Sequence, residues 1–393
     1  MKLVLYILLL CVVIQACNET ATDNSTKIQL PQESTNDSLF TTKIKGIHLV
    51  ELEVDSMNIL PIDQTMLYVG NKHLFFLTKN MHLFVYDKNT GKRTCMKSIL
   101  GRGRTECISL NNIFGLGDTL VINDQASSKL KMYDCFGNYC GILAENIIGQ
   151  YIFPHKQLFI SCDPSGHYYD NDYFMVRVDS NISIIEKYFL IPDDYKYFSY
   201  IDNSPSRIYM YNDTLRFIFP YSNCLNSFPE KTYKFCTDKE IPTRLKKDYN
   251  NSNPYDFYQN VFNNGYISDL YEFVETNKYF TFKYNIKADE FCVLANKYDT
   301  EVLSISAPND IYDGKVTSTE LWRCLVYGSH LLCGVDNYLY AYTIMKNFQV
   351  LNCYKEFLDD KQKVLYNEMI KYISNNKAII NNDFKFFIEI ELE

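Results

Sequence analysis

Leu83-Phe84-Val85-Tyr86-Asp87 runs into Lys88-Asn89-Thr90-Gly91, and Leu130-Lys131-Met132-Tyr133-Asp134 runs into Cys135-Phe136-Gly137. A third copy, Phe174-Met175-Val176-Arg177-Val178-Asp179, is followed by Ser180-Asn181. Each reads as a strand ending in Asp, then a turn, then another strand. The aspartates stand 47 and 45 positions apart. Their role is local. An Asp side chain at the first position of a tight turn accepts hydrogen bonds from the backbone N–H groups that follow. Gly91 and Gly137 supply the positive φ that such turns need.

Weaker echoes continue the rhythm at Thr232–Phe235, Phe291–Ala295 and Leu339–Tyr342. Short strands precede them, such as His73–Leu77, Thr119–Ile122, Tyr209–Phe219, Tyr279–Tyr284 and Leu331–Gly334. About four strands per repeat of roughly 45 to 60 residues is the pattern of a β-propeller blade. The number of echoes predicts six blades. The fold class is therefore all-β, a six-bladed β-propeller over residues 46–393. The 33 Tyr and 26 Phe fit stacked sheets whose faces are buried. The strand Ile47–Val54 is expected to share a blade with the C-terminal strand Phe384–Leu392, which leaves no open edge between the two ends. Two stretches interrupt the β rhythm. Residues 239–262 read as a long inter-blade excursion. Residues 356–374 place Leu358, Leu365, Met369, Tyr372 and Ile373 near helical spacing and predict one short amphipathic helix before the closing strand.

Ahead of the repeats, Lys2 precedes an apolar run from Leu3 to Ile14. It is too short to span a bilayer, which takes about 20 residues, and has the order of a secretory signal. Val13-Ile14-Gln15-Ala16-Cys17 resembles the bacterial lipobox, in which the cysteine thiol receives a diacylglycerol and cleavage falls before it. Residues 1–16 are thus read as a lipoprotein signal peptide and Cys17 as the lipidation site. Residues 17–45, polar and almost free of large apolar side chains, are read as a flexible tether.

A net charge of −8 gives no general attraction to phosphate backbones, so nucleic acid is not an expected partner. No second apolar run approaches membrane-spanning length. Of 13 cysteines, none forms a C-x-x-C pair, and no cysteine-based zinc site is supported. Cys135 and Cys140 flank a turn, and Cys324 and Cys333 fall where they face each other across a hairpin. Either pair suits a disulfide in an oxidising compartment. The alternative, favoured for most of these cysteines, is a small buried hydrophobe.

At this point the chain resembles a known family, the six-bladed β-propeller lipoproteins common in Bacteroidetes. The lipobox start is one point of likeness. Gly101-Arg102-Gly103-Arg104-Thr105-Glu106 is similar to the family's G-x-G-P-x-E turn after the first blade. Asp118-Thr119-Leu120-Val121-Ile122-Asn123-Asp124, leading to Lys131-Met132-Tyr133-Asp134-Cys135-Phe136-Gly137, is similar to its "D-x-L-x-I-x-D … Y-D-x-x-G" blade. The ending, a helix and then Ser374-Asn375-Asn376-Lys377-Ala378, is the fourth. The chain departs from the pattern at Arg104 (usually Pro), Cys107 (often aromatic) and Lys377-Ala378 (usually Asn-Pro). The resemblance implies no established catalytic residue.

Direct chemical signals are few. Gly101-x-Gly103 is not followed by the helix that a phosphate loop needs, so it reads as a connecting turn. Asp163, Asp170 and Asp172, with His167 among them, offer oxygens for Ca²⁺ but match no EF-hand spacing. The six histidines are scattered, and no H-E-x-x-H or G-x-S-x-G occurs. No cofactor and no metal are expected. Aromatics in polar stretches, Tyr168 and Tyr169 with Tyr197 and Tyr200, are the candidate ligand platforms. The leading expectation is a lipid-anchored, extracytoplasmic recognition module in the cell envelope, at the outer membrane, for a protein, peptide or glycan. The alternative is a propeller hydrolase or lyase acting on an extracellular polymer. Three or more His, Asp or Glu at one channel mouth favour the enzyme. A wall of Tyr, Asn and apolar groups favours binding.

Overall fold

The structure is a computed structural model. It describes residues 25–34, 38–53, 65–146, 149, 151–155, 158–162, 173–179, 184–190, 208–219, 222–228, 232–237, 239–248, 254–299, 301–306, 330–344, 360, 363–364, 367 and 385–393.

The N-terminal part contributes β1 (Thr26–Gln29), the short helix α1 (Ser38–Thr41) and β2 (Ile44–Glu51). Blade one is β3 (Thr65–Val69), β4 (His73–Thr78), β5 (His82–Asp87) and β6 (Arg93–Ser98). Blade two is β7 (Ile113–Leu116), β8 (Thr119–Asp124), β9 (Lys129–Tyr133) and β10 (Tyr139–Glu145). Blade three is β11 (Tyr151–His155), β12 (Leu158–Cys162), β13 (Tyr173–Val178) and β14 (Ile184–Leu190). Blade four is β15 (Ile208–Tyr211), β16 (Thr214–Ile218), β17 (Cys224–Phe228) and β18 (Tyr233–Cys236). The helices α2 (Thr243–Asp248) and α3 (Pro254–Asn264) lead into blade five, β19 (Ile267–Glu275), β20 (Tyr279–Ile286), β21 (Asp289–Asn296) and β22 (Val302–Ser306). Blade six is β23 (His330–Val335), β24 (Tyr338–Ile344) and β25 (Lys385–Leu392), completed by β2 from the other end of the chain.

This last pairing is the closure expected from the sequence, with β2 three residues earlier than the strand read there. β2 and β25 are antiparallel, Ile47 facing Ile390 and Val50 facing Phe387. Tyr340 of β24 ties the seam to blade one. Its hydroxyl donates to Glu389 Oε1 at 2.8 Å and accepts from Lys88 Nζ at 2.8 Å.

The middle strands read as continuous apolar runs because both faces of each blade are covered by neighbouring blades. In β4, Phe75 and Leu77 pack toward blade two with Leu120, Ile122 and Tyr133. Leu74 and Phe76 point the other way, toward Tyr340 and Phe387 of blade six. The same interleaving joins Phe174 to Phe217 between blades three and four, and Phe235 to Phe273 and Phe282 between blades four and five. Each buried Phe contributes about 1.5–3 kcal/mol of apolar transfer. Outer strands are more exposed, as in β6 and β14.

Inner strands crowd around the axis, and glycine answers that at two positions. A Cβ on Gly115 would lie 1.8 Å from the Tyr68 ring of the adjacent inner strand. One on Gly334 would lie 1.9 Å from the Glu275 carbonyl oxygen.

Two buried ion clusters sit between strands. Glu275 accepts from Arg216 at 2.9 and 2.8 Å and from Lys297 at 2.5 Å, so one carboxylate holds two cations from two blades. In blade two, Asp124 accepts from Lys131 at 2.8 Å, Ser127 at 2.6 Å and the Ser109 amide at 2.9 Å. Burial works against the charge of Asp124, but those donors outweigh it and hold its carboxyl below the usual 3.8.

The repeated aspartates behave as turn caps. Asp87 accepts from the amides of Asn89 and Thr90, and Asp134 from those of Phe136 and Asn138. The Gly101–Glu106 stretch is a connecting turn. Glu106 Oε2 accepts from the Gly103 amide at 2.7 Å, and that carboxylate fills the space a Cβ on Gly101 would need.

Three sequence expectations need correction or bounding. Residues 17–45 are not tether throughout. β1 pairs in parallel with β18, Ile28 opposite Phe235, and makes blade four five-stranded. Ile28 and Leu30 are buried against blades four and five. Two apolar side chains at a spacing of two suffice to hold an edge strand when the sheet they join is already formed. Cys135 and Cys140 are free thiols. Cys140 falls in a register shift of β10 and is exposed, while Cys135 packs toward the blade one–two core. Cys324 lies outside the described residues. So does most of 356–374, although Asp360, Lys363, Val364 and Asn367 within it are helical.

Candidate functional site

Six inner strands, β3, β7, β11, β15, β19 and β23, enclose a cavity of about 490 Å³ on the ring axis. Each is hydrogen-bonded to a neighbour on one side only. The free side carries a row of backbone N–H and C=O groups toward the axis. Between them the wall is apolar and aromatic, with Met66, Phe114, Tyr151, Phe153, Met210 and Phe273 among its residues.

Most polar side chains of the wall already have structural partners. Asn112 donates to the Ile152 carbonyl at 2.8 Å and accepts from the Ile152 amide at 3.1 Å, acting as a strand residue between blades two and three. Tyr209 donates to Glu275 at 3.1 Å, and beside the wall Tyr211 donates to Asn277 at 2.8 Å. Glu272, at a positive φ of 52° beside register shifts in β19, pairs with Lys283 at 2.7 Å. Asn212 and Asp213 form the hairpin at one mouth.

Burial keeps the phenols in and beside the wall, and the Cys333 thiol, neutral. Burial pushes the Tyr209 phenol well above its ordinary value, with the Glu275 charge adding to the effect. Burial and Glu275 likewise raise Tyr211, and burial with Asp118 raises Tyr68. The Cys333 thiol, also in the wall, is pushed up to about 12 by burial. A protonated thiol is a poor nucleophile, and the phenol protons of Tyr68, Tyr209 and Tyr211 are already donated to Gly117, Glu275 and Asn277. The described wall is thus suited to holding a ligand by shape and aromatic contact, with hydrogen bonds offered by the backbone edges. Among the described residues no group of three or more His, Cys, Asp or Glu gathers at metal-binding distance.

The ring has two unlike ends. Antiparallel succession sends alternate connections to opposite ends. First-to-second and third-to-fourth connections emerge at one end, and each is two to five residues long. We call this the hairpin end. The others emerge at the opposite, loop end. The strands that flank residues 52–64, 99–112, 191–207, 237–266, 307–329 and 345–384 in sequence have their ends there. The helices α2 and α3 belong to the loop end. Phe257 and Val261 of α3 are buried against Ile241 and Leu245.

The sequence-derived platforms Tyr168, Tyr169, Tyr197 and Tyr200 lie outside the described residues, as do Cys17, His167, Asp163, Asp170 and Asp172. In sequence all but Cys17 fall in residues 163–172, between β12 and β13, and 191–207, between β14 and β15. The wall itself was not singled out from sequence. Its residues come from six strands spread over the chain, and the available signal was only that each begins a blade.

The sequence of residues 16–333 matches the family model DUF5128, described as a 6-bladed beta-propeller. No curated protein matches the chain. Among solved structures, the chain is similar to a protein of Bacteroides fragilis described as exported. Identity is 17% and the TM-score 0.64, over 93% of this chain and 100% of that one. A member of the duf4221 family from Bacteroides vulgatus gives 8% identity and a TM-score of 0.46, over 89% and 99%. Virginiamycin B lyase from Staphylococcus aureus gives 12% and 0.36, over 75% and 81%. Likeness at these identities speaks to fold alone, and the last two scores carry no argument. With four-fifths of its length matched, the chain belongs to the DUF5128 family of six-bladed β-propellers.

Proposed function

We propose that the protein is a lipid-anchored recognition module of the cell envelope, which holds a protein, peptide or glycan at the axial channel. The character of the wall carries this reading. Tyr, Asn, Met and Phe side chains and free backbone edges surround about 490 Å³, and the phenols and the Cys333 thiol stay protonated. Such a surface stacks on and hydrogen-bonds a neutral ligand. The anchoring part rests on Lys2, the apolar run Leu3–Ile14 and the lipobox-like Val13–Cys17. An exported protein among the structural neighbours is in keeping with it.

Crosslinking of the native lipoprotein in envelope fractions, followed by pull-down, tests the binding reading. A partner lost on Met210→Trp, which fills the channel, supports it. Unchanged recovery of every partner with the channel filled contradicts it. Incorporation of labelled fatty acid that disappears in Cys17→Ala tests the anchor.

A further inference from the structure

Residues 26–34 and 38–43 fix the end of the ring at which the N-terminal part of the chain arrives. Because β1 is parallel to β18, Thr26 lies beside Tyr233 and Gln29 beside Cys236. β18 follows the connection 229–232 and so starts at the hairpin end. The chain therefore arrives at Thr26 from the hairpin end. It climbs the edge of blade four, then descends the edge of blade five. Pro31 accepts from the Tyr284 hydroxyl. Ser34 Oγ accepts from the Ser306 amide at 2.7 Å, and Lys43 meets Glu301 at 2.8 Å. Ser306 closes β22 at the loop end, and Glu301 precedes β22 at the hairpin end. β2 then starts beside Leu392, again at the hairpin end.

We propose that this strap is a mooring device. It brings the anchored N-terminus out at the hairpin end on a short lead, so that the bilayer faces the short hairpins and the loop-end mouth points away toward its partner. The proposal rests on the anchoring reading above. Its quantitative content is reach. With β1 docked, only residues 18–25 separate Cys17 from the ring, a stretch that reaches at most about 27 Å. Without the strap it is residues 18–43, at most about 90 Å. Strands of five to six residues make the ring about 20 Å high. The docked stretch reaches little farther than the height of the ring and the undocked one several times farther, so docking biases the hairpin end toward the bilayer.

Both ends carry exposed apolar side chains that serve as matched probe positions. Phe136 and Tyr298 are at the hairpin end, and Leu100 and Tyr255 at the loop end. A photoreactive benzoylphenylalanine placed at each in turn, in the full-length lipoprotein in phosphatidylethanolamine vesicles, reads lipid adducts after illumination. We expect adducts at 136 and 298 to exceed those at 100 and 255 at least fivefold. Ile28→Asp, which expels β1 from blade four, brings that ratio below about two. Equal or reversed yields in the native strap overturn the proposal, as does a ratio unmoved by Ile28→Asp. Labelled fatty acid on the same samples reports the anchor separately. If Cys17 carries none, a chain beginning at residue 17 with a biotinylated N-terminus is held on streptavidin and probed for protease access. Cleavage confined to loop-end connections supports the strap geometry, and cleavage at the hairpins overturns it.

Discussion

The hairpin end and the loop end are built from the same strands under different constraints. At the hairpin end the turns are short, and several are tied to the next blade. Lys72 donates its amide to Asp118 across blades one and two at 2.9 Å, and Tyr68 donates to the Gly117 carbonyl at 2.7 Å. Asn277 joins blade five to Tyr211 and Asn212 of blade four and, through its amide, to Asp336 of blade six. At the loop end the connections vary from residues 287–288 to residues 345–384. The loop end shares in holding the ring at Asn112, which ties blade two to Ile152 of blade three, but its connections vary more in length, and binding surfaces concentrate in such loops.

The largest effect should come from opening the ring. Truncation after residue 384 removes β25, strips β2 of its partner and leaves β24 with an open edge. We expect no cooperative thermal transition and exposure of the core to a hydrophobic dye. A soluble, cooperatively melting truncation contradicts the closure.

Next come the ion clusters behind the inner strands. Glu275→Ala leaves Arg216 and Lys297 buried without their carboxylate. Removal of one partner of a buried pair costs about 3–5 kcal/mol, measurable as a lower denaturation midpoint in urea. Asp124→Asn strands Lys131 in the same way, at about 3 kcal/mol. Asp124 also gives a pH signature. Its folded carboxyl is held below its unfolded value, so its contribution is complete above about pH 4 and fades as pH falls through and below 3.8. The Asn variant should show a flatter loss of stability in that acid window.

Packing at the axis is a smaller lever. Gly115→Ala drives a methyl into the Tyr68 ring and should cost about 1–3 kcal/mol. Tyr68→Ala in the same chain should recover part of that cost, and no recovery would refute the contact. The sharpest test of the two-end comparison is also the gentlest. A Gly-Ser insertion between residues 250 and 251, within the loop-end connection 237–266, should change stability by less than about 0.5 kcal/mol. The same insertion between Gly117 and Asp118 displaces the Asp118 cap and should cost about 1–2 kcal/mol. Equal costs would erase the distinction.

What the sequence revealed follows the range of the interactions. The Asp87 and Asp134 turns were legible because cap and capped amides lie within four residues. Blade number and closure followed from that rhythm. The strap was missed because Ile28 and Leu30 look like stray apolar residues in a polar stretch, and only an edge strand formed some 200 positions later gives them a partner. The Glu275–Arg216–Lys297 cluster was equally silent, since its members belong to two blades and no local pattern marks a buried Arg or Lys. The channel wall combines both difficulties, being a property of six strand starts brought to one axis.

Hydrogen exchange on the intact domain tests the closed ring most directly. If β2 is a full member of blade six, those amides of Ile47–Val50 and Phe387–Ile390 that are hydrogen-bonded between the two strands share one opening free energy, and destabilisation of either strand by mutation lowers it for both together. Loop-like exchange of those β2 amides while β25 stays protected would contradict the closed ring.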